Sequence, residues 1–147
     1  MSELMTAQMA TMNQQIGELI SLYRDAINRM GISENEYWVW HTLLAMEGEF
    51  SQQDICNLWA LSKQTINTIV TNMVRKEYAV LETEPGSRNR KIIRLTPTGR
   101  EHGYALIAPL AQAEQHAFER VPMEVRLACI LGFKQYLDVL SEEVAQL

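Results

Sequence analysis

The feature that most constrains the fold of this chain is a change of period. Up to residue 78 the apolar side chains recur at steps of three and four, the spacing of helices. At Tyr78 that spacing stops, and it resumes only after Thr96. Between them, Ala79-Val80-Leu81-Glu82-Thr83 and Lys91-Ile92-Ile93-Arg94-Leu95-Thr96 read as two strands, with Pro85-Gly86-Ser87 as the turn. This is the one hairpin the sequence offers. The fold class expected is mainly α with a small β-hairpin (α+β).

The helices announce their own ends. Met5, Met9, Met12, Ile16, Leu19, Tyr23 and Ile27 mark an amphipathic helix from Ser2 to Met30, closed by Gly31. Such a helix is about 40 Å long, more than a small domain needs, so its stripe is expected to meet something beyond its own core. Ser33-Glu34-Asn35-Glu36 matches a capping box and opens a helix that stops near Gly48. Ser51 caps a short helix carrying Ile55, Leu58 and Trp59, and Ser62 caps the next. That helix has an apolar face of Ile66, Ile69, Val70, Met73 and Val74, and a polar face on the other side. Thr96-Pro97 starts a long helix, and Pro122 breaks it to open a last one running to Val144.

Net charge is misleading until it is partitioned. The 147 residues hold 13 Lys+Arg against 18 Asp+Glu, a formal charge of −5, which argues against a nucleic-acid partner. Between Ser62 and Arg100, however, eight basic residues face three acidic ones, a net +5; the remainder has five basic and fifteen acidic, a net −10. One quarter of the chain is a basic island in an acidic body.

That island has the chemistry of a DNA-reading surface. Two short helices joined by a tight turn, followed by a hairpin, describe a winged helix-turn-helix. Ser62, Lys63, Gln64, Thr65, Asn67, Thr68, Thr71 and Asn72 form the polar face of the second helix. Gln and Asn side chains pair bidentately with adenine, and Lys reaches guanine. Threonines contact phosphates or a thymine methyl, and the helix N-terminus attracts phosphate. Arg88, Asn89, Arg90 and Lys91 cluster at the hairpin tip, with guanidinium groups of the kind that enter a narrow minor groove.

At Ile32-Ser33, Leu43-Leu44, Leu61-Ser62-Lys63-Gln64-Thr65-Ile66 and, most specifically, Arg94-Leu95-Thr96-Pro97-Thr98-Gly99-Arg100, the chain resembles the MarR family of winged-helix transcription regulators. The resemblance implies one domain over 1–147, with residues 32–96 as the DNA-binding lobe and 1–31 and 97–147 as dimerisation helices. It implies a homodimer on a pseudo-palindromic operator in double-stranded DNA, acting as a repressor released by a small aromatic or apolar effector. A wing arginine, Arg88 or Arg90, would enter the minor groove. In that family effectors bind between the dimer helices and the DNA-binding lobe, which points to Tyr23, Trp40 and His41. Two departures are visible. The family places an Asp two residues before its key wing arginine, and Gly86 stands there before Arg88. It also places Gly after the recognition helix, where this chain has Glu77, so a left-handed Glu or a shifted helix end is expected.

Other functions find little support. There is no Gly-rich phosphate loop, nucleophile elbow or HExxH, so an enzyme is not expected, nor a cofactor. His41, His102 and His116 have no i,i+4 pairing, so no metal is expected. Cys56 and Cys129 cannot build a disulfide scaffold and read as core residues. No apolar run reaches the ~20 residues of a membrane span, and the N-terminus lacks a secretory pattern, so a cytoplasmic protein is expected. A winged-helix interaction module without specific DNA contact, and a redox- or metal-responsive regulator, remain as alternative readings.

Overall fold

The computed structural model describes residues 2–147. The order of elements is α1 (Glu3–Arg29), α2 (Glu34–Ala45), α3 (Gln52–Trp59), α4 (Lys63–Arg75), β1 (Ala79–Thr83), β2 (Lys91–Leu95), α5 (Pro97–Arg120) and α6 (Met123–Val144). This is the mainly α fold with one hairpin that the change of period requires.

The expected caps form. Ser33, Ser51 and Ser62 each accept a hydrogen bond from an amide in the first turn of the helix that follows, and Ser2, not expected as a cap, does so for α1. Thr96 does the same for α5: the Gly99 amide donates to its Oγ1 at 3.0 Å. The capping box expected at Ser33 forms only by half. Ser33 accepts from the Glu36 amide, but the Glu36 carboxylate takes the Trp40 Nε1–H at 3.4 Å. The reciprocal box is at Ser51 and Asp54 instead.

The chain divides into two units, Met1–Ala108 and Pro109–Leu147, and the division falls at Pro109, inside α5. In the first unit the core is made by Tyr37, Val39 and Trp40 of α2, Ile55 of α3, Ile66, Val70 and Met73 of α4, and Ile92 and Ile93 of β2. The hairpin is antiparallel, with Ala79 opposite Leu95, Leu81 opposite Ile93 and Thr83 opposite Lys91. It gains a partial third partner that the sequence did not disclose: Ser51 bridges Ile92, and the Ile93 amide donates to the Phe50 carbonyl at 2.9 Å. This fastens the wing to the segment leading into α3.

The Thr-Pro-Thr-Gly sequence after β2 has a packing reason. A Cβ on Gly99 would lie 1.9 Å from the Tyr78 carbonyl oxygen, so α5 starts against the end of the α4–β1 turn as only glycine allows. By contrast α1 buries only Ile27, and its stripe at Met5, Met9 and Leu19 lies open. In the second unit α6 buries none of its residues. Cys129, on α6, is therefore exposed rather than a core residue; Cys56 is buried as expected.

Candidate nucleic-acid interface

The helix-turn-helix is α3, the turn at Ala60 and Leu61, and α4. Ala60 has a left-handed backbone (φ 50), and the Leu61 amide donates to the Cys56 carbonyl to close the turn. α4 buries Ile66, Val70 and Met73, and this fixes what its other face can show. Ser62, Lys63, Gln64, Asn67, Thr68, Thr71 and Asn72 are exposed, and Thr65 is half-buried. Ser62 and Thr65 share a hydrogen bond at 2.7 Å, so they stiffen the first turn. The Thr68 hydroxyl donates to the Gln64 carbonyl, and the Asn72 side-chain oxygen accepts from Arg75.

α4 ends on a left-handed Glu77 (φ 61), the first of the two outcomes expected there. The Glu77 amide donates to the Val74 carbonyl and the Tyr78 amide to the Met73 carbonyl, the pattern of a Schellman motif with Glu in the glycine position. The Glu77 carbonyl is held in turn by the Thr96 hydroxyl at 2.6 Å.

At the wing tip, Glu84-Pro85-Gly86-Ser87 forms a tight turn, with Gly86 at φ 84 and the Ser87 amide donating to the Glu84 carbonyl. The two tip arginines behave differently. Arg90 is half-buried and forms two ion pairs, with Asp54 and with Glu84, both at 2.7 Å. Arg88 is exposed and takes part in none of the ion pairs among the described residues. The sequence shows no Asp two residues before Arg88, yet a carboxylate does orient a wing guanidinium. It comes from Asp54 on α3, 36 residues before Arg90, with Glu84 of the tip turn as a second. Asp54 also accepts the Ser51 amide at 2.8 Å. That amide first, and Arg90 after it, hold the Asp54 carboxyl below the usual carboxylate range against the opposing effect of burial. Further down the hairpin Arg94 pairs with Glu49 and Glu82. Two of the eight basic residues of the island are thus committed to bracing the wing.

Between wing and helices lies a groove of about 510 Å³. It brings Lys63, Asn89, Arg90 and Lys91 together with Ser51, Gln52, Gln53 and Asp54 of the α3 N-terminus. The α3 residues were not among the sequence candidates; the Ser51–Asp54 cap was their only local signal.

The residues proposed for an effector separate into two places. Tyr23 and His41 lie about the Trp38 ring, at 5.8 and 5.5 Å between centroids. Trp40 is buried on the other side of α2, near Tyr78 and His102 at 5.9 and 5.6 Å. There it lines a cavity of about 100 Å³ together with Glu36, Ile69, Asn72, Met73 and Lys76. Among the described residues no group of His, Cys, Asp and Glu could hold a metal ion. Among the described residues no helix is long and apolar enough to cross a membrane.

The class this geometry defines is a winged helix-turn-helix, preceded and followed in sequence by long helices. Residues 30–88 match the family model described as the MarR family. The whole chain has the fold of solved MarR family regulators. It is similar to NMB1585, a MarR family regulator from Neisseria meningitidis, at 20% identity and TM-score 0.73, covering 95% of this chain and 97% of that one. It is similar to Staphylococcus aureus MepR in its DNA-binding conformation, at 17% identity and TM-score 0.71, covering 89% and 97%. A third likeness is Bordetella bronchiseptica BpsR, whose DNA binding is regulated by 6-hydroxynicotinic acid, at 16% identity and TM-score 0.61, covering 88% and 91%. At these identities the likeness is one of fold. No curated protein sequence matches the chain. The chain thus carries the winged-helix fold of solved MarR family regulators, and its residues 30–88 match that family's model by sequence.

Proposed function

We propose that the chain is a DNA-binding transcriptional regulator, a homodimeric repressor of a pseudo-palindromic operator that a small effector releases. The observation that carries this reading is the pairing of an exposed polar face on α4 with a braced wing that leaves Arg88 free. Ser62 to Asn72 would read the major groove, and Asn89 and Lys91 would flank Arg88 at the backbone. Arg88 is the minor-groove finger, and Arg90 is the buttress that keeps the wing upright against α3. Residues 32–96 act as the DNA-binding lobe, and 1–31 with 97–147 as the dimerisation helices. The open apolar stripes of α1 and α6 support self-association, because exposed patches of that size mark interfaces. In such a dimer the two recognition helices would sit about 34 Å apart, one helical turn of DNA.

The test is a gel shift on a duplex selected by the wild-type chain from a random library. Arg88→Ala should weaken binding about 5- to 100-fold and flatten the salt dependence by roughly one phosphate equivalent. Arg90→Ala should weaken binding through a displaced wing, and Asp54→Ala should do the same. Unchanged affinity in Arg88→Ala would overturn the wing assignment. A wild-type chain that prefers no sequence and shows no salt dependence would favour a protein-interaction module. For the effector, BpsR sets the pattern of a small planar acid. Tyr23 and His41 beside Trp38, and Trp40 over the inner cavity, are two places such a molecule could enter.

A further inference from the structure

The turn between α3 and α4 contains a strained residue and, beside it, an arrangement that holds the strain. Ala60 sits at φ 50, a conformation a side chain with a Cβ adopts only where its surroundings impose it. Its predecessor Trp59, the last residue of α3, is fixed twice. Its indole stacks on Trp38 of α2, at 4.2 Å between centroids and 24° between planes. Its Nε1–H donates to the Thr42 hydroxyl at 2.7 Å. Thr42 has no exposed surface, and its own hydroxyl donates to the Trp38 carbonyl at 2.7 Å. The sequence of bonds from Trp59 through Thr42 ends on the residue whose ring Trp59 covers, so stacking and hydrogen bonding enforce one orientation. Trp38 also stacks on Tyr23 of α1, at 5.8 Å. Three elements are joined through three aromatic side chains and two stackings, and the end of that series is the turn from which α4 starts.

We propose that Trp59, Thr42 and Trp38 are positioning residues that set the pose of the recognition helix relative to α2 and α1. This rests on the DNA-binding reading above. A reading surface must be held to about half an ångström and 10–20° to keep its contacts. α3 is only eight residues long and cannot supply that alone. None of the three side chains contacts DNA in this proposal; they act through the turn at Ala60.

The test uses the full chain with Thr42→Val, Thr42→Ser and Trp59→Phe. Thr42→Val keeps shape and removes both hydrogen bonds; Thr42→Ser restores the hydroxyl; Trp59→Phe keeps an aromatic ring on Trp38 and removes the donor. Each is measured well below its own melting temperature on the selected duplex and on a scrambled duplex of equal length. Thr42→Val and Trp59→Phe should lower affinity for the selected duplex about five- to tenfold. Affinity for the scrambled duplex and the salt slope should stay unchanged, because no phosphate contact is lost. Thr42→Ser should bind as wild type. The far-ultraviolet exciton signal of the stacked indoles should weaken in Thr42→Val and persist in Thr42→Ser. Equal selected-to-scrambled ratios in all four chains would overturn the positioning role while leaving DNA binding intact. A wild-type chain that binds neither duplex would overturn both.

Discussion

α4 and α6 both carry many apolar side chains, and they differ in what becomes of them. α4 closes its face within the chain: Ile66 and Val70 have no exposed surface. Apart from Val74, 38% exposed, what remains outward is polar, and it is free to meet another molecule. α6 is almost twice as long and closes nothing, with Leu131 69% exposed and Ile130 53%. One helix is finished by its own fold and offers hydrogen-bonding groups; the other is unfinished and offers area. An apolar stripe of that length left in water forgoes the burial that normally stabilises a helix.

The sharpest way to break this comparison is to place the same kind of damage on both helices. Ile66→Ala should cost about 2–5 kcal/mol of folding stability, read by denaturant titration, because it opens a cavity in a closed core. Leu131→Asp should leave the folded single chain intact and act on self-association. It should raise the dimer dissociation constant at least about a hundredfold, read by sedimentation. If Leu131→Asp leaves the sedimenting mass unchanged, the α6 face is not an interface between copies.

A second test turns on the brace between wing and α3. The Asp54 carboxyl is held below its ordinary range by the Ser51 amide and by Arg90. A depressed pKa in the folded state means that the stabilisation is present above the unfolded value, near 4, and is lost as pH falls through the folded value. Asp54→Asn should therefore be less stable than wild type at neutral pH, and the difference should shrink once pH drops below about 4. It should also weaken DNA binding at neutral pH, because Arg90 then keeps only Glu84. A stability difference that stays constant down to the acid limit would remove Asp54 from the brace.

What was legible in the sequence was what is decided locally. Ser33, Ser51, Ser62 and Thr96 cap the helices that follow because a hydroxyl reaches an amide three residues on, and neither partner depends on the rest of the chain. The hairpin and the exposed polar face of α4 were legible for the same reason. What was not legible was decided between distant residues. Arg90 could not be told from Arg88 by sequence, because one of the two carboxylates that distinguish them is on α3 and the other, Glu84, comes into reach only when the tip turn folds. Glu36 turns to Trp40 rather than back to the Ser33 amide, and Trp40 is placed there by a core that distant elements complete. Tyr23, Trp40 and His41 could be grouped as aromatic neighbours, but α2 sends Trp40 into the core and Trp38 towards α1 and α3. Cys129 resembles a core residue because its neighbours are apolar, and only the structure shows that α6 keeps them uncovered.

The smallest expected effect lies at the end of α4, and it tests the closed side of the comparison. Glu77 is left-handed, at a site where its backbone completes a Schellman motif and its carbonyl receives the Thr96 hydroxyl. A left-handed residue with a Cβ costs about 1–2 kcal/mol. Glycine removes that cost but brings about 0.5–1 kcal/mol of extra chain entropy to lose on folding. Glu77→Gly should therefore raise stability by about 0.5–1 kcal/mol, read as a higher denaturant midpoint at unchanged slope. The substitution also takes one negative charge out of the basic island, so affinity for duplex DNA should rise slightly, and more at low salt. Lower stability in Glu77→Gly would mean that the Glu77 side chain holds the helix end in a way its backbone does not.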